Sequence, residues 1–460
     1  MTIKKTMSLA VLAALGGAAQ NASATDVFRL EGFGAVSRAM GGVAVAQDVG
    51  PAGMMTNPAT LSLMRDGEQV LGGLDVVTTS IDVKNKATGE SVSSSTHSQN
   101  RGPYIAPELA YTKRIGALTF GVGAFAQGGL GTEYGSSSFL SRDVAGQPTG
   151  LANSSRLLVL NIPMALSYQV TEKLTVGGSL DAMWQGLNLD LLLTTNQVGA
   201  LAAGGRVNGA LLDNVLLPNI AHITGAHFSL TKNQFLGSGV DAWGFGGKLG
   251  MLYKATQDTT LGAAYTFKSQ MNDMEGRATL TAVLDSGAQL PLNGKIQIKD
   301  FQMPAHLDLG ISQRITPQWT VAADVSRVFW KDVMKDINVA FVADAGGDLN
   351  IKLPQDYKDQ TVFSIGTAYA FNDSLTFRGG FRMATQALRS STLFAVIPAT
   401  PRKHISAGVG YALSKQSTID FAVSHALKEK MENDNPPNTS APIEVTHSQT
   451  NATLNFRYAF

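Results

Sequence analysis

The spacing of the connections constrains this chain more than any motif in it. Six connections are tight, at Ile115-Gly116, Thr171-Glu172-Lys173, Thr256-Gln257-Asp258, Thr316-Pro317-Gln318, Asn372-Asp373-Ser374 and Ser414-Lys415-Gln416. Between them lie long polar or irregular stretches, about 83–103, 128–156, 187–240, 271–298, 331–358, 387–401 and 429–442. Tight and long alternate without exception, and together they imply about 14 strands. A soluble sandwich has no reason to alternate loop lengths in this way. An antiparallel barrel crossing a membrane does, because short turns lie on one side and long loops on the other.

The segments between the connections have a period of two. Leu118, Phe120, Val122 and Ala124 share one face, with Thr119, Gly121, Gly123 and Phe125 on the other. Leu307, Leu309 and Ile311 oppose His306 and Asp308 in the same manner. Apolar outward and small or polar inward is what lipid on one side and a lumen on the other require. Tyr111, Tyr168, Tyr253, Tyr369, Phe371, Tyr411 and Tyr458 fall beside tight turns or the C-terminus, the pattern of an interfacial girdle. The predicted fold is therefore all-β, a transmembrane antiparallel barrel. Composition agrees: only 15% of residues are charged, against about a quarter in soluble domains. A net charge of +1 gives no electrostatic case for nucleic acid, and the absence of Cys excludes thiolate chemistry and disulfides.

The N-terminus reads as a signal peptide over 1–24: a basic pair at Lys4 and Lys5, an apolar run from Met7 to Ala19, and Ala22-Ser23-Ala24 as the cleavage site. The apolar run is too short to span a bilayer, which needs about 20 residues. Residues 25–66 are then rich in small and apolar residues, with glycine at 32, 34, 41, 42, 50 and 53. Such a segment builds no core of its own but packs tightly inside another structure. It is expected to be a plug, with the barrel over 67–460 and its longest loop at about 187–240.

The run GFGAVSRAMGGVAVAQD followed by TNPATLSLM resembles the N-terminal hatch of the FadL/TodX family, outer-membrane transporters of long-chain fatty acids and aromatic hydrocarbons. Leu353 to Met383 and Ile397 to Leu427, the latter with its basic pair Arg402 and Lys403, look like late strands of that family. The resemblance implies passive uptake of hydrophobic molecules, by capture on surface loops, hatch gating and lateral exit through a kinked third strand. It implies hatch and gating roles for Asn57, Pro58, Ala59, Gly41 and Gly42, and a lateral gate at Gly121 and Gly123, whose alternative reading is small residues making room for the plug. It also implies ligand contacts from Phe28, Leu30, Phe33 and Phe125, and from Leu191, Leu192 and Leu216 of the apolar long loop.

Enzymatic constellations are poorly supported: there is no GxSxG or HExxH, and the seven histidines show no ligand spacing, His222 and His227, five apart in a loop, reading as a solvated loop before a metal pair. No cofactor and no metal is expected. By alternation Asp181, Lys248, His306, Asp308, Asp324, Asp420, Arg378 and Arg382 point into the lumen. A buried ion-pair network is the first expectation for them, and a carboxylate headgroup held by Arg378 and Arg382 the second. The expected partners are a hydrophobic ligand, outer-membrane lipid and lipopolysaccharide, and the barrel assembly machinery through Phe460; a monomer in the outer membrane is expected. The rival readings are a non-selective porin, a lipid-acting barrel enzyme and a surface-interaction barrel.

Overall fold

A computed structural model describes residues 27–94, 104–231 and 237–460; the signal peptide expected over 1–24 and its cleavage site lie outside the described residues. From Gly67 onward the chain is strand after strand: β1 (Gly67–Asn85), β2 (Tyr104–Ile115), β3 (Leu118–Glu133), β4 (Ser154–Gln169), β5 (Leu174–Thr194), β6 (Val240–Lys254) and β7 (Thr259–Thr266). β8 (His306–Arg314), β9 (Trp319–Val328), β10 (Gln360–Ala370), β11 (Leu375–Ala384), β12 (Lys403–Ala412), β13 (Ser417–Asn433) and β14 (Ile443–Ala459) follow. Each pairs antiparallel with the next. β14 returns to β1, from Gln69 opposite Ala459 to Asn85 opposite Ile443, and the sheet closes on itself. Closure leaves no edge whose N–H and C=O groups would face lipid unpaired.

The ring itself is β1 to β14, and the sheet as a whole holds 22 strands among the described residues, more than the about 14 expected from the sequence. The excess lies mostly in stretches that the sequence pattern presents as loops. Ile223–Ser229 pairs with the far end of β5 and with Met274–Leu284. Pairing then continues through Gln289–Lys299, Asp336–Ala343 and Asp348–Pro354. These strands form an outer β layer, whose Leu280, Ile296, Ile298, Val339, Phe341, Leu349 and Ile351 are all buried, in one cluster with Phe28, Leu157 and Leu191. The stretch over 187–240 likewise contains the rest of β5, the helix Thr195–Ala203 and a single five-residue turn, Leu212–Leu216. Its leucines 191, 192, 193, 211, 212 and 216 are buried, leaving Val215, Leu217 and Ile220 outside.

Side-chain alternation follows the two solvents. Leu180 and Leu249 are exposed on the outer face, while their neighbours Asp181 and Lys248 are buried and ion-paired to each other inside. Tyr168, Tyr253, Tyr369, Phe371 and Tyr411 are exposed beside the tight turns. The N-terminal segment carries a short helix, α1 (Gly34–Ala39), and two 3-10 turns, Gly50–Met55 and Pro58–Leu63. Together these touch β1 to β6 and β11 to β14. Every residue of α1 is buried.

Candidate functional site

Three groups of bonds join the N-terminal segment to the inner face of the ring. At α1, the N–H of Gly34 donates to Glu108 Oε1 at 2.9 Å and that of Ala35 to Asn455 Oδ1, so β2 and β14 satisfy donors that a helix start leaves orphaned. Arg38, fully buried, donates to Glu31 Oε1 at 2.9 Å and lies 2.8 Å from Asp75 Oδ2 of β1. Glu31 also accepts from Asn451 at 2.8 Å and from Ser424. Burial pushes the Glu31 carboxyl up, but Arg38, His404 and the Ser424 hydroxyl outweigh it and hold it at about 2. Burial likewise lowers Arg38, and the carboxylates of Asp75, Glu31 and Glu108 reverse that and raise it above its ordinary value.

The second group is Asp324 of β9, which accepts from the N–H groups of Ala44 and Val45 at 2.7 and 3.0 Å. The third is the turn at Asn57-Pro58-Ala59. Asn57 caps its own turn by accepting from Ala59 N at 3.1 Å, and Pro58 at the first position loses no donor. The Asn57 amide then donates to Val45 O at 2.7 Å and to Met251 O at 3.1 Å, tying the turn to both the segment and β6. Gly41 and Gly42 have φ of +71° and +86°, and a Cβ on Gly41 would stand 2.8 Å from Phe381 O. Glycine is therefore required there by both conformation and contact.

Three apolar cavities run in series. The first is lined by Val27, Leu30, Glu31, Ile105, Ala126, Gly128, Leu130 and Leu157, among others. The second shares Leu130 and Leu157 with it and adds Phe28, Phe301, Leu189, Leu191 and Phe394. The third shares Leu189, Leu191, Ile298, Val339 and Leu353 with the second and extends into the outer β layer. They hold about 900, 570 and 330 Å³ of empty space, mouths included.

The first cavity meets a break in the wall. β2 and β3 pair from Ile115 opposite Leu118 only as far as Glu108 opposite Phe125. Beyond that point Tyr104–Pro107 and Ala126–Glu133 have no ladder with each other. β3 also bulges against β4 between Ala126 and Gly128. Ile105 lines the cavity and is 45% exposed, so the space reaches the outer face of the wall. The freed edge of β3 takes up the N-terminal segment instead: Gly129 N donates to Phe28 O at 2.8 Å and Leu30 N to Gln127 O at 3.2 Å.

The residues singled out from sequence fall into separate groups. Phe28, Leu30 and Leu191 line the cavities. Phe33 and Phe125 instead pack on each other at 6.4 Å in a cluster with Met54 and Leu61, and Leu192 and Leu216 are buried away from all three spaces. A Cβ on Gly121 would meet Met54 and Leu61, and one on Gly123 the Phe125 ring, so these glycines make room for the segment, while the break lies further along β3. Arg378 and Arg382 line none of the three cavities. Arg378 donates to Asp420 at 2.9 Å, which also holds Arg457, and Arg382 donates to Ser364 at 2.8 Å beside Gly42. His222 bonds Asp285 and His227 bonds Ala152 O, apart from each other. Leu130, Leu157 and Phe301 are wall residues that the sequence reading passed over. A signal for them was present: Leu157-Leu158-Val159-Leu160 is apolar on both faces of β4, where other strands are polar inside.

The sequence profile described as "Outer membrane protein transport protein (OMPP1/FadL/TodX)" matches residues 13–460. The crystal structure of the Pseudomonas putida toluene transporter TodX is similar over 94% of this chain and 99% of that one, at 45% identity and a TM-score of 0.84. The Ralstonia pickettii toluene transporter TbuX is similar over 94% and 99%, at 46% identity and a TM-score of 0.79. Among curated relatives, the long-chain fatty acid transport protein of Salmonella typhi is 23% identical over 314 residues, 66% of either chain.

Proposed function

Because the chain belongs to the outer membrane transport family OMPP1/FadL/TodX, we propose that it carries neutral hydrophobic small molecules, monoaromatic hydrocarbons foremost, passively across the outer membrane. The observation that carries this is the series of apolar cavities that ends at the break between β2 and β3. Apolar solutes cross the polar lipopolysaccharide leaflet poorly, and a dry apolar route replaces that barrier with burial worth about 25 cal/mol per Å² of ligand surface. Ligand enters through the outer β layer, passes Phe28, and leaves sideways into the membrane beside Ile105 and Ala126. The ring strands span the bilayer, and residues 27–66 act as a hatch that closes the lumen. Its bonds to Glu108, Asp324 and Met251 keep the lumen shut to water.

The choice of a neutral ligand over a carboxylate follows from the lining of the second cavity, which holds no charged side chain, whereas Arg29 and Glu31 both line the first. Arg378 and Arg382 are engaged with Asp420 and Ser364, and the second cavity is walled almost wholly by aliphatic and aromatic side chains. A carboxylate there has no charged partner and keeps its desolvation cost. The test is uptake of labelled toluene and labelled oleate at limiting concentration, in cells with and without the gene. Toluene uptake is expected to depend on the protein and oleate uptake to depend on it little. Protein-dependent uptake of oleate alone would contradict the reading, and so would ion conductance without uptake of either.

A further inference from the structure

The loop between β11 and β12 borders both of the first two cavities. Phe394, Val396 and Ile397 line the second, and Pro398, Ala399 and Pro401, next in the chain, line the first. Leu130 and Leu157 of the wall line both. A ligand moving from one cavity to the other therefore moves along this strap, past those leucines. The leucines are fixed in place, because they face each other in the ladder of β3 with β4, and β5 holds the other edge of β4. The strap is held in a different way.

Among the described residues, 388–401 make backbone bonds only with one another and join no ladder. Leu393, Phe394, Ala395, Val396 and Ala399 are nevertheless buried, and buried carbonyls need donors. Side chains supply them, several from strands that stand across the ring from β11 and β12. Tyr134 OH, just after β3, donates to Ala395 O at 2.7 Å. Ser155 Oγ of β4 donates to Val396 O at 2.5 Å, and Thr132 Oγ1 of β3 lies 3.0 Å from Ser155 Oγ and 3.2 Å from Val396 O. Asn433 Nδ2 of β13 donates to Leu393 O at 2.9 Å, and His447 Nδ1 of β14 to Pro398 O at 2.7 Å. A ladder would fix the strap whatever side chains surround it. Here its distance from the wall depends on a few hydroxyls, which act on Ala395 and Val396, just before the strap passes from the second cavity to the first.

We propose that this strap is the size filter of the route, and that Ser155, Thr132 and Tyr134 are positioning residues that set it for hydrocarbons of one ring. The inference rests on the transport reading and assigns the element that limits ligand width. Apolar lining cannot make this choice, because a larger hydrocarbon buries more surface in it and gains by doing so. Selection against the larger ligand needs an element that resists being moved. With the hydroxyls engaged, Ala395 and Val396 stay against the wall and one ring passes. A fused pair of rings has to lift the strap, which strands buried hydroxyls and carbonyls without partners.

The test is uptake of labelled toluene and labelled naphthalene at limiting concentration, each corrected for cells without the gene. Thr132→Val combined with Ser155→Ala removes both hydroxyls at Val396 and adds no bulk. The naphthalene-to-toluene ratio is expected to rise about fivefold over that of the unaltered protein, the factor that one buried hydrogen bond represents. Thr132→Ser keeps its hydroxyl and is expected to keep the unaltered ratio. A ratio that does not rise in the double variant would overturn the proposal, and so would an equal loss of both substrates, which is what a merely structural role predicts. Should the double variant fail to show the heat-modifiable gel shift of a folded barrel, Tyr134→Phe removes the bond to Ala395 O alone and carries the same expectation. Protein-dependent toluene uptake with a fixed ratio sinks the filter alone, and no protein-dependent toluene uptake by the unaltered gene sinks the transport reading.

Discussion

Leu157→Asp is expected to reduce toluene uptake at least tenfold while leaving a folded barrel. Leu157 is shared by the first two cavities, stands opposite Leu130 and Leu187 in the ladder, and is 2% exposed. A carboxylate there has no cation within the lining of the second cavity, although Arg29 lines the first. Burying it in so apolar a stretch costs several kcal/mol, and it relieves that cost by drawing in water. Hydration of the shared stretch restores the barrier that the route exists to avoid. The backbone bonds of β4 to β3 and β5 do not pass through the side chain, so assembly is spared. Leu157→Met conserves volume and polarity and is expected to transport like the unaltered protein. Equal uptake by the Asp variant, with the protein folded and in the membrane, would show that substrate travels elsewhere.

The second large effect is expected at Arg38. Its guanidinium stands between Glu31 of its own segment and Asp75 of β1, both buried. Arg38→Met leaves these carboxylates, and Glu108 beside them, without their cation. Breaking a buried pair by removing one partner costs about 3–5 kcal/mol. At 1.4 kcal/mol per tenfold change, docking of the segment weakens by about two to four orders of magnitude. Because the wall strands are held by their own ladders, the segment loosens before the barrel does. The measurable signs are protease cleavage within residues 27–66 and ion conductance in planar bilayers, both of which the unaltered protein is expected to resist. Arg38→Met with Glu31→Gln removes one of the stranded charges and is expected to recover part of the protection. Protection and conductance identical to the unaltered protein in Arg38→Met would mean that the ion pairs do not hold the segment.

What the sequence conveys about this fold depends on how many faces of an element are constrained. The ring strands have lipid on one side and a lumen on the other, so their period of two is plain in stretches such as Leu307 to Ile311. The outer β layer has one face on the buried cluster and one in water, and its strands are short and polar enough to read as loops. Lumen charges are legible for the same reason as the strands: Asp181, Lys248, Asp308 and Asp324 are all buried inside, as alternation requires. Glycine is more ambiguous. Gly121 and Gly123 mark a close approach by the N-terminal segment, and Gln127–Gly131 mark the break, but both appear in the sequence only as small residues in a strand. The contacts of Phe28 with Phe301, Trp330 and Tyr357 are not legible in the sequence, because these residues stand hundreds of positions apart in the chain.

The central claim is that substrate leaves through the wall between β2 and β3, and the lack of cysteine in this chain gives a clean way to test it. Ala106 lines the first cavity beside the break. Toluene uptake is measured in cells carrying Ala106→Cys, before and after a bulky thiol-directed disulfide reagent, and again after reductant. Uptake that falls to the level of cells without the gene and returns on reduction is the predicted result. Unchanged uptake with the thiol fully modified would contradict lateral exit.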